Sequence, residues 1–400
     1  MEDKSKNYIE LIMNFSNTNS LKIRILSIKK VRFTLLQLYI FFNGFVYFEP
    51  AIAEYIFILL FISYFIDYKN TFNVFHLIVS LSLLTTSIIP YLVSNLVFSN
   101  SNIKFLIIDV YLSVMFLFEL DIFQKCNTEF DDIIKPWIYA AVINIVIYFI
   151  ALFLNIKTIF NTDVIRFDWR LTGFFKDPNV CGPFLLVPAL YFFDKVLIKF
   201  KIKDIILFTF FFIGVILSMS RAAWLNAFVA LSLLFLFKKL SFIRKLKLLI
   251  LGLIICIPLF IYIFNFATTK YSNIIELLIL RIDLQEYDTE RFESHSNVLK
   301  MITISPIIGV GTGNYINFSE IEAHNTFYRI IGERGLLFGL ITLIIFLIPL
   351  FKSYRKKDTL LLSILLGMYV NSYFIDSFHW RFIWILFAYS FTKTRNYLQK

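Results

Sequence analysis

Ile205–Phe237 reads IILFTFFFIGVILSMSRAAWLNAFVALSLLFLF. At a rise of about 1.5 Å per residue, one unbroken helix over this stretch would be about 50 Å long, well beyond the roughly 30 Å of hydrocarbon in a bilayer. It must therefore turn, and Ser218-Met219-Ser220-Arg221 is where polarity permits it. Each arm is then about 15 residues long and apolar on every face, which is the pattern of buried or lipid-facing helices rather than the alternation of a membrane barrel strand. Arms that short draw the turn below the outer lipid surface. An arginine at that depth costs roughly 3 kcal/mol unless it meets a partner or a water-filled cavity. Snorkelling of Arg221 to the surface is the plain alternative.

The same apolar character runs along the whole chain. It has 400 residues, is 58% hydrophobic and contains 49 Phe, with a mean hydropathy of +0.74. No soluble core could hide that much apolar surface. The fold expected is all-α and polytopic, with about 12 transmembrane helices near 31–47, 50–66, 73–92, 103–120, 136–156, 179–194, 204–218, 222–237, 248–266, 335–351, 359–375 and 382–392. With the N-terminus placed inside, 26 of the 39 Lys and Arg fall on the inner side, and most of the rest lie in two long outer loops. Short loops decide orientation, so both termini are expected in the cytoplasm. The +11 net charge then reflects basic loops facing anionic membrane lipid, with no nucleic acid required. The basic segment 1–30 lacks the layout of a cleaved signal peptide. Residues 31–156 read as membrane scaffold, in which His76 is expected to be a hydrogen-bonded packing residue. Cys126, Cys181 and Cys256 lie far apart and predict neither a disulfide nor a metal site.

Four segments could carry chemistry. Trp169-Arg170-Leu171-Thr172-Gly173-Phe174-Phe175-Lys176-Asp177-Pro178-Asn179 leads into the sixth span. Pro178 suits a first helical turn and Asn179 can cap, so free N–H groups face outward and favour an anion; lipid phosphates touching Arg170 and Lys176 are the simpler reading. The Ser218–Arg221 turn is the second. In the long outer loop 267–333, Asn273–Tyr287 has an amphipathic, interfacial pattern, and Arg291 and His295 share a helix face. Ser305–Tyr315 supplies a glycine-rich turn, weak as a phosphate signal without a preceding strand. Ala323-His324-Asn325-Thr326 and Glu333-Arg334-Gly335 follow, with His324 placed to act as acid, base or donor. The fourth is Asp376-Ser377-Phe378-His379-Trp380-Arg381 between the last two spans. No DxD pair, HExxH, GxSxG or Walker sequence is present, so neither a metal nor a cofactor is expected. Several cations converging on one cavity suit a diphosphate.

Taken in order, "RLTGFFKDPN" (170–179), "SMSR" (218–221), "IGVGTGNY" (308–315) and "AHNTFYRIIGERGLLFG" (323–339) resemble the O-antigen ligase and polymerase superfamily. The resemblance covers roughly residues 165 to 390, and defines a domain over 157–400. Two departures are Ala222, where the family often has Gly, and the loose match around Arg381. The resemblance implies a glycosyltransferase of the bacterial inner membrane acting on undecaprenyl-diphosphate-linked oligosaccharide at the outer face. It implies Arg170 and Arg221 as diphosphate clamps, His324 as the catalytic histidine, and Arg291, Lys176, Asn179 and Asn325 as further substrate contacts. The acceptor would be another lipid-linked repeat unit for a polymerase of O-antigen or capsule, possible partners being other polysaccharide assembly proteins. For a ligase it would be lipid A-core or a protein. The compact "FFKDPN" run looks more like a polymerase. A lipid-linked oligosaccharide flippase or other transporter is the reading from another class, but it would carry charges along the midplane of several helices.

Overall fold

The computed structural model describes residues 28–48, 50–66, 71–98, 102–166, 169–248, 250, 287–319 and 323–392. The expected span 248–266, the interfacial segment Asn273–Tyr287 and Cys256 lie largely or wholly outside them. The architecture is helical: α1 (28–42), α2 (Ile52–Phe65), α3 (Val74–Phe98), α4 (Ile103–Lys125), α5 (Phe130–Phe153), α6 (Pro178–Ile198), α7 (Ile202–Leu217), α8 (Arg221–Phe237), α9 (242–248), α10 (Tyr287–Ile304), α11 (Thr326–Lys356), α12 (Thr359–Phe374) and α13 (Arg381–Ser390). Four of these, α3, α5, α6 and α11, are long and apolar enough to cross a membrane, and α2, α8, α12 and α13 are shorter apolar helices. Outward-facing Ile58, Leu59, Ile78, Leu96 and Phe228 are more than half exposed, a surface suited to lipid. The chain is an integral membrane protein.

The segment between α5 and α6, one of the two long loops read from the sequence, forms two small hairpins, β1 (Thr158–Ile159) with β2 (Thr162–Asp163) and β3 (Ile165–Arg166) with β4 (Arg170–Leu171). Ile165 and Leu171 pair across the second hairpin, both buried, which holds Arg170 against the helices.

Helix α6 is the axis of the second half, packed against α5, α7, α8 and α12. It contains Pro183 and Pro188. Pro188 has no N–H, so the carbonyl of Phe184 loses its helical donor. The indole N–H of the fully buried Trp137 on α5 replaces it at 3.0 Å. Helices α8 and α12 run antiparallel at close range: a Cβ on Gly367 would lie 2.9 Å from Ala230 Cβ and 3.0 Å from the Asn226 carbonyl. Small residues at a seam are what allow such an approach where lipid supplies no hydrophobic drive.

Candidate functional site

The turn between α7 and α8 falls where the sequence placed it. Ser218 ends α7 and its hydroxyl donates to the Val215 carbonyl at 2.7 Å. Met219 adopts a left-handed conformation (φ 49°), and Ser220 caps α8 by accepting from Ala223 N at 3.3 Å. Arg221 is thus the first residue of α8, half-buried.

Arg170 fastens this turn to the start of α6. It is buried, its Nε donates to the Ser218 carbonyl at 3.0 Å and its Nη2 to Asn179 Oδ1 at 3.1 Å. Pro178 takes the first position of α6 as the sequence suggested, but the cap is Asp177, which accepts from Asn179 N at 2.8 Å, rather than Asn179, which lies inside the helix. Gly182, one turn on, lets α6 touch the turn: a Cβ there would sit 2.6 Å from Ser218 Oγ. On the other side, Asn144 of α5 accepts from Phe174 N at 2.7 Å and pins the Gly173 bend. Lys176 is exposed at the rim.

Antiparallel packing of α8 and α12 puts Arg221 at the same end of the bundle as the residues that follow Phe374. There the Thr326 hydroxyl accepts from Ser377 N at 2.8 Å and lies 3.3 Å from Asp376 Oδ1. This junction joins the "AHNT" and "DSFHWR" segments, so Arg170, Asn179, Arg221, His324 and Asn325 all gather at one end. Asn325 caps α11 by accepting from Tyr328 N at 3.0 Å. It is 1% exposed, and among the described residues its amide nitrogen has no hydrogen-bond partner. Arg291 lies on α10, its side chain outside the described residues, and His295 on the same helix packs edge-on against Tyr328 of α11 at 4.8 Å. Burial holds the His295 imidazole below its usual range.

In the glycine-rich turn the N–H groups of Gly309, Val310, Gly311 and Asn314 are engaged inside the protein. Gly335 breaks α11 (φ 65°, ψ −176°), so Leu336 N and Leu337 N cannot reach the carbonyls of Gly332 and Glu333. They donate instead to Pro306 O at 2.8 Å and Ile307 O at 3.0 Å, while Val310 N and Gly311 N donate to Gly332 O at 3.1 Å and Glu333 O at 2.8 Å. Four bonds exchange, and the turn is spliced into the helix. Gly309 and Gly335 touch through their backbones, both at positive φ. Thr312 Oγ1 and Asn314 Nδ2 then tie the turn to α3, at Ser87 O (3.1 Å) and Ser94 Oγ (3.2 Å).

A second charged layer was only partly foreseen. Arg334 Nη2 donates to Asp109 Oδ2 of α4 at 2.6 Å, Arg329 pairs with Glu333 at 3.1 Å and with Asp376, and Arg381 pairs with Glu54 of α2. Burial would push the Asp376 carboxyl up, but the neighbouring Arg329 guanidinium and His379 hold it below the usual carboxylate range. His379 Nε2 lies 2.8 Å from Asp109 Oδ1. Asp109 and Glu54 therefore couple the first four helices to the motif-bearing half. Asp109 is one of two carboxylates, with Glu119, in the apolar run 103–120, and nothing local in the sequence names its partner. His76 differs from expectation: it is buried on α3, and among the described residues its Nδ1 has no partner. Cys126 and Cys181 are unpaired thiols.

The chain is a helical membrane bundle with its arginine- and histidine-bearing motifs drawn to one end. Residues 206–344 match the family model described as O-antigen ligase. The chain thus carries an O-antigen ligase-like domain, which supports its place in the O-antigen ligase and polymerase superfamily and a glycosyl-transfer type of activity. The matched residues include Arg221, Arg291, His324 and Asn325, while Arg170, Lys176 and Asn179 lie outside them. No curated protein matches the chain.

Proposed function

We propose that the chain is a glycosyltransferase that polymerises undecaprenyl-diphosphate-linked repeat units of a bacterial surface polysaccharide, without a metal ion, at the outer face of the inner membrane. The observation that supports it most is the gathering of Arg170 and Arg221 with His324 and Asn325 at one bundle end, beside the starts of α6 and α8. Arg221 and the buried charge of Arg170 hold the diphosphate as negative charge develops on it, aided by helix N-termini. The Asn325 amide donates to a sugar or phosphate oxygen. His324 assists transfer, as base toward the acceptor or as donor to the bridging oxygen. With a diphosphate leaving, electrostatics suffice for the departing group. The basic loops at the opposite end face the cytoplasm in this reading, and other assembly proteins deliver the lipid-linked units.

The test uses purified chain, lipid-diphosphate-linked repeat unit and EDTA, with products separated on a gel. A ladder of lengths from the repeat unit alone is the expected product, with His324→Ala reducing it roughly a hundredfold while donor binding persists. Transfer only when lipid A-core is added would make the protein a ligase. Abolition by EDTA with rescue by a divalent ion would refute the metal-free reaction.

A further inference from the structure

Asp109 lies six residues into α4 with its side chain 1% exposed. A carboxylate at that depth stays ionised only if it is matched and hydrogen-bonded. Arg334 supplies the match at 2.6 Å, and its other nitrogen, Nη1, donates to Thr342 Oγ1 at 2.9 Å. The second carboxylate oxygen faces His379 Nε2 at 2.8 Å. An ionised carboxylate can only accept, so Nε2 carries the proton. In the neutral ring Nδ1 then holds the lone pair. The ring itself is held between Phe105 and Phe378, at centroid distances of 5.9 and 5.5 Å. Its side chain is 22% exposed against 1% for Asp109, so the histidine bridges a buried carboxylate and the accessible end of the bundle.

His379 is also near the other motifs. It stands two residues beyond Ser377, whose hydroxyl lies 3.3 Å from that of Thr326, and His324 stands two residues before Thr326. Two residues of chain reach at most about 7 Å. Both histidines therefore flank one junction, from opposite chain segments.

We infer that His379, oriented by Asp109, is the base that takes the acceptor hydroxyl proton in the glycan transfer, an inference that rests on the function proposed above. The proton passes to Nδ1 as the acceptor oxygen bonds the anomeric carbon. The bond from that carbon to the phosphate oxygen breaks, and its electron pair leaves with the lipid diphosphate toward Arg170 and Arg221. Asp109 stabilises the imidazolium, which returns its proton to water. His324 then serves the departing oxygen as a hydrogen-bond donor. The arrangement of base and orienting carboxylate follows the general logic of activated proton acceptors. Asp109 is a positioning residue, supplied by the helices that the sequence presents as scaffold.

The experiment measures transfer and donor binding separately, with full-length chain in detergent and lipid-diphosphate-linked repeat unit as both donor and acceptor. His379→Ala and His379→Gln should bind the donor like wild type and lose roughly a hundredfold in turnover. Added imidazole should restore His379→Ala at least about tenfold, and leave His379→Gln, whose side chain fills the space, unchanged. Turnover within about threefold of wild type in either variant would overturn the inference, as would a loss accompanied by lost donor binding or one that imidazole leaves in place. If His379→Ala does not fold, His379→Gln decides on turnover and binding alone. Inactive wild type would instead refute the proposed function, which separates the two failures.

Discussion

Arg329, Arg334 and Arg381 each face a carboxylate, Arg329 two of them, and Arg170 ties the Ser218 carbonyl to Asn179 Oδ1. The paired arginines should matter for stability. Asp376 is held below its unfolded range chiefly by Arg329 against the cost of burial, so its contribution is complete above the unfolded carboxylate value near 4 and is lost as pH falls through the lower folded value. Melting in detergent should therefore drop as pH falls below about 4, and Asp376→Asn should remove that part of the acid sensitivity. At neutral pH the same variant, by leaving Arg329 with Glu333 alone, should cost on the order of 3 kcal/mol. An unchanged melt at neutral pH would mean that the pair contributes nothing. Although the cap of α6 is Asp177 and not Asn179, the turn at Ser218–Arg221 and the helix start at Pro178 were legible in the sequence because short local motifs encode them. Asp109 and Glu54 were not, because their partners are more than 200 residues away and no local spacing encodes such pairs.

Among the elements, α11 and the turn 305–314 behave as one unit. A turn rich in glycine invites a phosphate reading, yet its glycines serve close backbone contact: a Cβ on Gly309 would lie 2.3 Å from Gly335 N, and one on Gly335 2.3 Å from the Ile307 carbonyl. Backbone cannot yield as a side chain end can. An L-residue at positive φ adds about 1–2 kcal/mol, so Gly309→Ala should destabilise by more than that, seen as a detergent melting point several degrees lower or as loss of folded protein. A Gly309→Ala variant that melts like wild type would show that the splice can relax. The sequence placed the tenth span at 335, where α11 in fact breaks, but it left the nine preceding helical residues unassigned. Their apolar positions are interrupted by Arg329, Glu333 and Arg334, charges that read as loop until their partners on α4 and the 376–381 segment are known.

For the molecule as a whole, the apolar runs, the turn at Ser218–Arg221 and the helical class were legible because lipid as solvent leaves few alternatives. Orientation rests on the basic loops: Lys238 pairs with Asp194 and Lys125 donates to the Thr71 carbonyl at 2.9 Å, both at the end opposite the motifs. Reporter fusions at Phe200 and Lys356 should read cytoplasmic and one at Ser296 external; an external signal at Phe200 would invert the placement of the site. The central claim, that the motif end grips a lipid diphosphate while its glycan is transferred, is tested most directly by Arg221→Lys in vesicles carrying the lipid-diphosphate-linked repeat unit. The substitution keeps the charge and removes the planar fork. With the fold verified by its melt, the variant should bind donor at least about tenfold more weakly and make little or no ladder beside a full one from wild type. A full-length ladder at wild-type donor affinity would contradict the account.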